Sequence, residues 1–401
     1  MRALMLLFIA MAAFPAEPDA LDVSARIRSM HMPFGIVVDP MFAAPDSDTV
    51  IGYTRCGDSA IWSAFNLAAE SFRYNVTRSA DSLSNIRYAL NGIQGLVEVT
   101  GRRNLLSRCA VPVDSPYAAG IASEEKANGV YEGLIGLRRY YWIGNTSRDQ
   151  YSGAFFGLSV AHDFVDDPEV QSITAALITQ MLQELLDRQW ILIFPNFDIN
   201  AFQTRPDQQL ALLEIGRSVN PQQFAKLYDE MAAAKRSRVI VPIVYDCADK
   251  YSAYFKFNLN TINLYGLIRL EDDPANLAYY WEAYELEWRI LANQANAHFN
   301  MIDRALKSPD PGRDDQTVVF LNQWLMRPRR DYYVDLSGTY PACGPNRSCD
   351  LIPVQLRIAS DFIWQRSPYQ LSGGGAGFIE TAGIDYILPY WMARYYNLPV
   401  D

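Results

Sequence analysis

Four short turns constrain this chain more than any other feature. They read "VDDPEV" at 165–170, "SVNPQQ" at 218–223, "EDDPAN" at 271–276 and "SPDPGRDD" at 308–315. Each sets Asp or Asn before Pro, a capping side chain followed by the residue that suits the first helical turn. Apolar residues at helical spacing lie on both sides of every turn. "DQYSGAFFGLSVAHDFV" runs into "PEVQSITAALITQMLQELLDRQW", and "PDQQLALLEIGRSV" into "PQQFAKLYDEMAAAK". "NLNTINLYGLIRL" runs into "PANLAYYWEAYELEWRILANQ", and "HFNMIDRAL" into "RDDQTVVFLNQWLM". A chain punctuated in this way folds as antiparallel helix pairs. "SAIWSAFNLAAESFRYNV" and "SLSNIRYALNGIQGLVEVTG" make a further pair. "GIDYILPYWMARYY" is the last helix, with "LDVSARIRSMH" as its candidate partner; "RVIVPIVY" is the main strand candidate.

The connections fall into two classes. Those inside the pairs are short, whereas those between pairs are long, at roughly 101–146, 191–204, 236–255 and 326–379. In a closed ring of hairpins the long ones crowd one face, together with the N-terminus of the first helix of each pair. Long structured connections in a compact domain usually carry function. The first helices are rich in Gly and small residues, as in "SGAFFGLSV"; the second carry a charged face, as in "QMLQELLDRQ". That split predicts inner and outer helices. By helix count, alternation and loop asymmetry, residues 51–401 resemble the (α/α)6 toroid of the six-hairpin glycosidase superfamily, and the chain is similar overall to secreted bacterial proteins. The resemblance implies an all-α catalytic domain and a carbohydrate substrate. It brings no catalytic motif residue by residue.

Ahead of that domain, residues 1–20 read as a secretory leader: one Arg, an apolar run, then small residues and Pro, with Ala12, Ala16 and Ala20 as cut positions. Residues 21–50 read as an N-terminal arm. No later stretch is long and uncharged enough for a membrane span, so the expected location is secreted or periplasmic. Five Cys fit an oxidising compartment. Cys343 and Cys349 share a loop-like segment and are expected to pair. Cys56 and Cys109 flank two helices and meet if these are antiparallel, leaving Cys247 over. With three scattered His and no close Cys pair, no metal site or cofactor is expected. A net charge of -10 argues against nucleic acid, which needs clustered cations. The 24 Tyr and 8 Trp suit sugar rings as well as a core.

The first-helix starts supply the candidate site. They hold Asp58 and Trp62; Arg148, Asp149, Gln150 and Tyr151; Arg205, Asp207 and Gln208; Lys256 and Asn258; His298; and Glu380 and Asp385. The long loops add Glu125, Trp364, Arg366 and Tyr369. A carboxylate at a helix start serves equally as a cap, since free N–H groups and partial positive charge gather there. Six such starts at one mouth, with directional donors and acceptors, suit a polyhydroxylated oligo- or polysaccharide. The expected activity is glycoside hydrolysis by paired carboxyl groups, one protonating the leaving oxygen and the other activating water or attacking. Asp149 and Asp207 are the first choices, with Asp58, Glu125 and Glu380 as substitutes. A uronate lyase using His298 or Tyr151, and a non-catalytic glycan binder, are the alternatives.

Overall fold

The computed structural model describes residues 15–248, 254–343 and 349–400. Its helices are α1 (Glu17–Arg26), α2 (Ser59–Thr77), α3 (Ala80–Glu98), α4 (Ala118–Glu124), α5 (Arg148–Phe164), α6 (Pro168–Asp187) and α7 (Pro206–Val219). They continue with α8 (Pro221–Lys235), α9 (Ile240–Ala248), α10 (Phe255–Leu270), α11 (Pro274–Leu291), α12 (Ala297–Leu306), α13 (Pro311–Leu325) and α14 (Ile384–Tyr395). At three of the four Pro turns the Asp caps as its type suggests. Asp167 accepts from the Val170 N–H at 3.0 Å, Asp273 from Ala275 at 2.9 Å, and Asp310 from Gly312 at 2.9 Å. Asn220 makes no such cap and bonds Gln223 instead.

Burial separates the two members of each pair. α5 is buried at every position from Gln150 to Ala161, and α10 from Phe257 to Ile268. Their partners bury one stripe: α11 uses Asn276, Tyr280, Ala283, Tyr284, Glu287 and Leu291, the spacing of an amphipathic helix. The buried helices touch in the order α2, α5, α7, α10, α12, α14, and α14 returns to α2. Contact between α2 and α5 is the closest. A Cβ at Gly157 would lie 2.1 Å from the Ala64 carbonyl oxygen, and one at Gly153 would meet the Ile61 side chain. Only glycine allows these backbones so near, and this approach sets the N-terminal turns of α2 and α5 side by side.

The all-α toroid expected from the sequence is corrected by three antiparallel sheets, which make the protein α+β. β1 (Asp39–Phe42) and β2 (Val50–Thr54) join β8 (Arg330–Asp335) and β9 (Ser372–Glu380) in the order β2-β1-β9-β8. β3 (Cys109–Pro112), β4 (Val130–Ile135) and β5 (Arg138–Ile143) form a second sheet, and β6 (Ile191–Ile193) pairs with β7 (Ile199–Ala201). Most of these strands lie in the connections read as loops. Strands of three to six residues offer too few positions for a period-two pattern to stand out. β9 was hidden by its composition, "SGGGAGFIE", which suggests a lid or turn. Its glycines instead permit contact with β8: Gly374 has φ +110°, and a Cβ there would lie 2.3 Å from the Tyr332 carbonyl oxygen. The strand candidate "RVIVPIVY" is also corrected, because most of it forms α9, with Pro242 tolerated in the first turn.

The 21–50 segment packs into the body through α1 against α14 and β1 against β9. Residues 1–14, on which most of the leader reading falls, lie outside the described residues. Of the cut positions considered there, Ala20 is buried in α1. Cys56 and Cys109 form one disulfide, with Cα atoms 5.6 Å apart, and Cys343 and Cys349 another, leaving Cys247 free. These bridges fit an oxidising compartment. Among the described residues, no helix is long and apolar enough to cross a membrane.

Candidate functional site

Three of the six first-helix starts converge on an open cleft of ≈ 390 Å³. Asp58, Ile61 and Trp62 come from the start of α2, Asp149 and Gln150 from α5, and Tyr254, Phe255, Asn258 and Leu259 from α10. The segment between β8 and β9 closes the fourth side with Asp361, Gln365, Arg366, Ser367 and Gln370. "SRDQYSG" therefore serves several ends at once. Asp149 faces the cleft, Gln150 bridges to α2, and Tyr151 drops into the core, where its hydroxyl accepts from the Leu106 N–H at 3.2 Å.

The two acidic residues at the helix starts differ in surroundings. The Asp58 Oδ1 accepts from Gln150 Nε2 at 2.9 Å and lies 3.5 Å from the Arg108 guanidinium. Burial in the cleft wall raises its pKa, while Arg108 and Gln150 oppose the shift. Half of its side chain is still exposed. The Asp149 carboxyl makes no hydrogen bond among the described residues. Burial raises its pKa, Arg148 opposes that, and the charge of Asp58 adds to it. The third cleft carboxylate, Asp361, is engaged by Arg366 and accepts from the Ser360 hydroxyl at 2.8 Å. Trp62 is half-buried at the wall, and behind it Phe362 and the buried Trp364 pack with ring centroids 4.7 and 6.1 Å away.

The other candidates lie elsewhere. Asp207 is fully buried and held bidentately by Arg205, at 3.0 and 2.7 Å. Arg205 also donates to Asp246 at 2.8 Å and to Asn260 at 2.6 Å, and Lys256 sits 3.4 Å from Asp246. Gln208 is buried with its Oε1 unpartnered among the described residues. Glu125 is buried and accepts from the Gly57 N–H and the Asn128 amide, both at 2.7 Å, so it braces the turn ahead of Asp58. Glu380 accepts from Arg26 at 2.7 Å. Burial pushes its carboxyl up, but Arg26 and His31 outweigh that and hold it at about 2. Asp385 is raised to about 6 by burial, against Arg327 and hydrogen bonds from Ile363 and Trp324. Tyr369 flanks Ser367 and Gln370 without lining the cleft. In "RPRRD" at 327–331, after α13, Arg327 and Arg330 are buried.

Sequence reasoning missed Asp361, Tyr254, Ser367 and Gln370. Their signal was position alone, within long segments on the face already singled out. Among the described residues, no group of His, Cys, Asp or Glu is arranged to hold a metal ion. Comparison of the chain with protein-family profiles, curated proteins and solved structures returned no match.

His298 is fully buried between Phe65, Phe156 and Trp364, and both ring nitrogens are unpartnered among the described residues. Burial holds its pKa down at about 3, below the ordinary 6.5. An unfolded chain therefore binds this proton between pH 6.5 and about 3 and the folded chain does not. Stability falls as pH drops through that window, by up to about 1.4 kcal/mol per pH unit. In urea unfolding at a series of pH values, His298→Leu should flatten this slope; an unchanged slope would place the acid sensitivity elsewhere.

Proposed function

We propose that this protein is a secreted or periplasmic carbohydrate-active enzyme, a glycoside hydrolase that works through Asp58 and Asp149. The observation that carries this reading is the pair of carboxyl groups at the adjoining starts of α2 and α5, facing one cleft. Trp62 lines the cleft with an aromatic side chain of the kind that suits a sugar ring, and Gln365, Gln370 and Asn258 supply amides along the walls. Hydrolysis asks for little more. One carboxyl gives its proton to the glycosidic oxygen as the C–O bond breaks. The other, as carboxylate, takes a proton from the attacking water or attacks the anomeric carbon itself.

The uronate lyase is the weaker reading, because neutralising a uronate needs a free cation in the cleft. Arg366 is engaged by Asp361, Lys256 faces Asp246, Arg148 beside Asp149 does not line the cleft, and His298 and Tyr151 are buried in the core. The test is a panel of uncharged and uronate-containing polysaccharides, scoring new reducing ends alongside the ultraviolet absorbance of unsaturated products. Reducing ends without that absorbance are expected. Absorbance in step with cleavage would establish a lyase, and binding without cleavage a lectin-like protein.

A further inference from the structure

We infer that Gln150 is a positioning residue that holds Asp58 as the charged member of the carboxyl pair and leaves Asp149 to carry the proton. The catalytic meaning of this division rests on the hydrolase reading; the division itself does not. Gln150 is fully buried, and both ends of its amide are committed. Its Oε1 accepts from the Ile61 N–H at 2.9 Å, one of the first-turn donors of α2 that no helix carbonyl can satisfy. With the oxygen taken in this way, the Nε2 end points at Asp58, 2.9 Å from Oδ1. An amide N–H can only donate, so the contact favours the ionised carboxylate.

Arg108 acts in the same direction. Arg108 lies 3.5 Å from the same oxygen and is itself fixed, donating to the Asn145 carbonyl at 2.9 Å and the Gly57 carbonyl at 2.7 Å. The negative charge of Asp361 opposes this, and the smaller positive field of Arg55 offsets part of it, so Arg108 and the Gln150 amide are the main groups that favour the carboxylate. Asp149 sees Arg148 beside it, Arg108 and Arg205 farther off, and the negative charge of Asp58, but receives no hydrogen bond among the described residues. A single proton shared by the pair therefore goes to Asp149. In the reaction that proton passes to the leaving glycosidic oxygen, while Asp58 takes the proton of the attacking water or forms the bond to carbon.

The experiment is a pH titration of the full chain carrying 13C-carboxyl aspartate, with the two resonances assigned through Asp58→Asn and Asp149→Asn. Asp58 is expected to titrate below Asp149. In Gln150→Met the Asp58 midpoint should rise by about one pH unit. Gln150→Glu keeps an acceptor for the Ile61 N–H and sets a second acid against Asp58, so it should raise the midpoint further and serves if the Met variant does not fold. Once a substrate is known, the acidic limb of kcat/KM should move up with Asp58 while KM holds, which mere loosening of the cleft would not produce. Asp58 titrating at or above Asp149 in the unaltered protein, or unmoved by both substitutions, would overturn the inference even if glycans are cleaved. Absence of cleavage would overturn the hydrolase reading and leave the titration order to stand or fall separately.

Discussion

Asp149→Asn is expected to lower kcat/KM by at least about 100-fold, the scale on which a general acid or base contributes, with little change in the thermal midpoint. Asn keeps the shape of Asp at the first turn of α5, where Ser147 holds the N-cap position, and removes only the ionisable proton. Since the Asp149 carboxyl makes no hydrogen bond among the described residues, the substitution leaves no partner stranded. Asp58→Asn should cause a similar loss. Glu132→Gln is the control, because Glu132 pairs with Arg139 on the exposed β4–β5 hairpin, away from the cleft. Activity near the unaltered level in both Asp→Asn variants, measured on whichever glycan the panel identifies, would remove the pair from the chemistry.

The largest loss of stability is expected at Arg205. Its guanidinium holds Asp207 at the start of α7, Asp246 on α9 and Asn260 on α10. Asp207 and Asp246 are both buried. Arg205→Leu leaves the two carboxylates without their shared cation, and stranding a buried charge costs about 3–5 kcal/mol. Denaturant unfolding should show a loss of that size. Asp207→Asn, which removes one charge but keeps a polar group of the same shape, should cost less. A change under about 1 kcal/mol in Arg205→Leu, the scale of an exposed pair, would mean that water reaches the cluster.

The two cases show what local sequence could and could not reveal. Asp149 and Asp207 follow the same pattern, an acid in the first turn of a small-residue helix. Only the folded chain distinguishes them, because Arg205 turns back on Asp207 whereas Arg148 does not close on Asp149 in the same way. Glu380 and Asp385 diverge from expectation for a similar reason: their cations, Arg26 and Arg327, come from distant parts of the chain. The helices were legible because runs of ten to twenty residues repeat an apolar period several times. The strands were not, since β6 and β7 have three residues each and β9 reads as a glycine turn until β8 lies against it. Asp58, Trp62, Asp149, Gln150, Asn258 and Arg366 line the cleft, through three helix starts and one long connection.

The most direct test of the central claim is reducing-end release from the polysaccharide panel by the unaltered protein and by the Asp58→Asn/Asp149→Asn double variant, side by side. Release by the unaltered protein is expected, without unsaturated products, and none above background by a double variant that is folded and has both disulfides formed. Equal release by the two proteins, or no release by either, would contradict that claim.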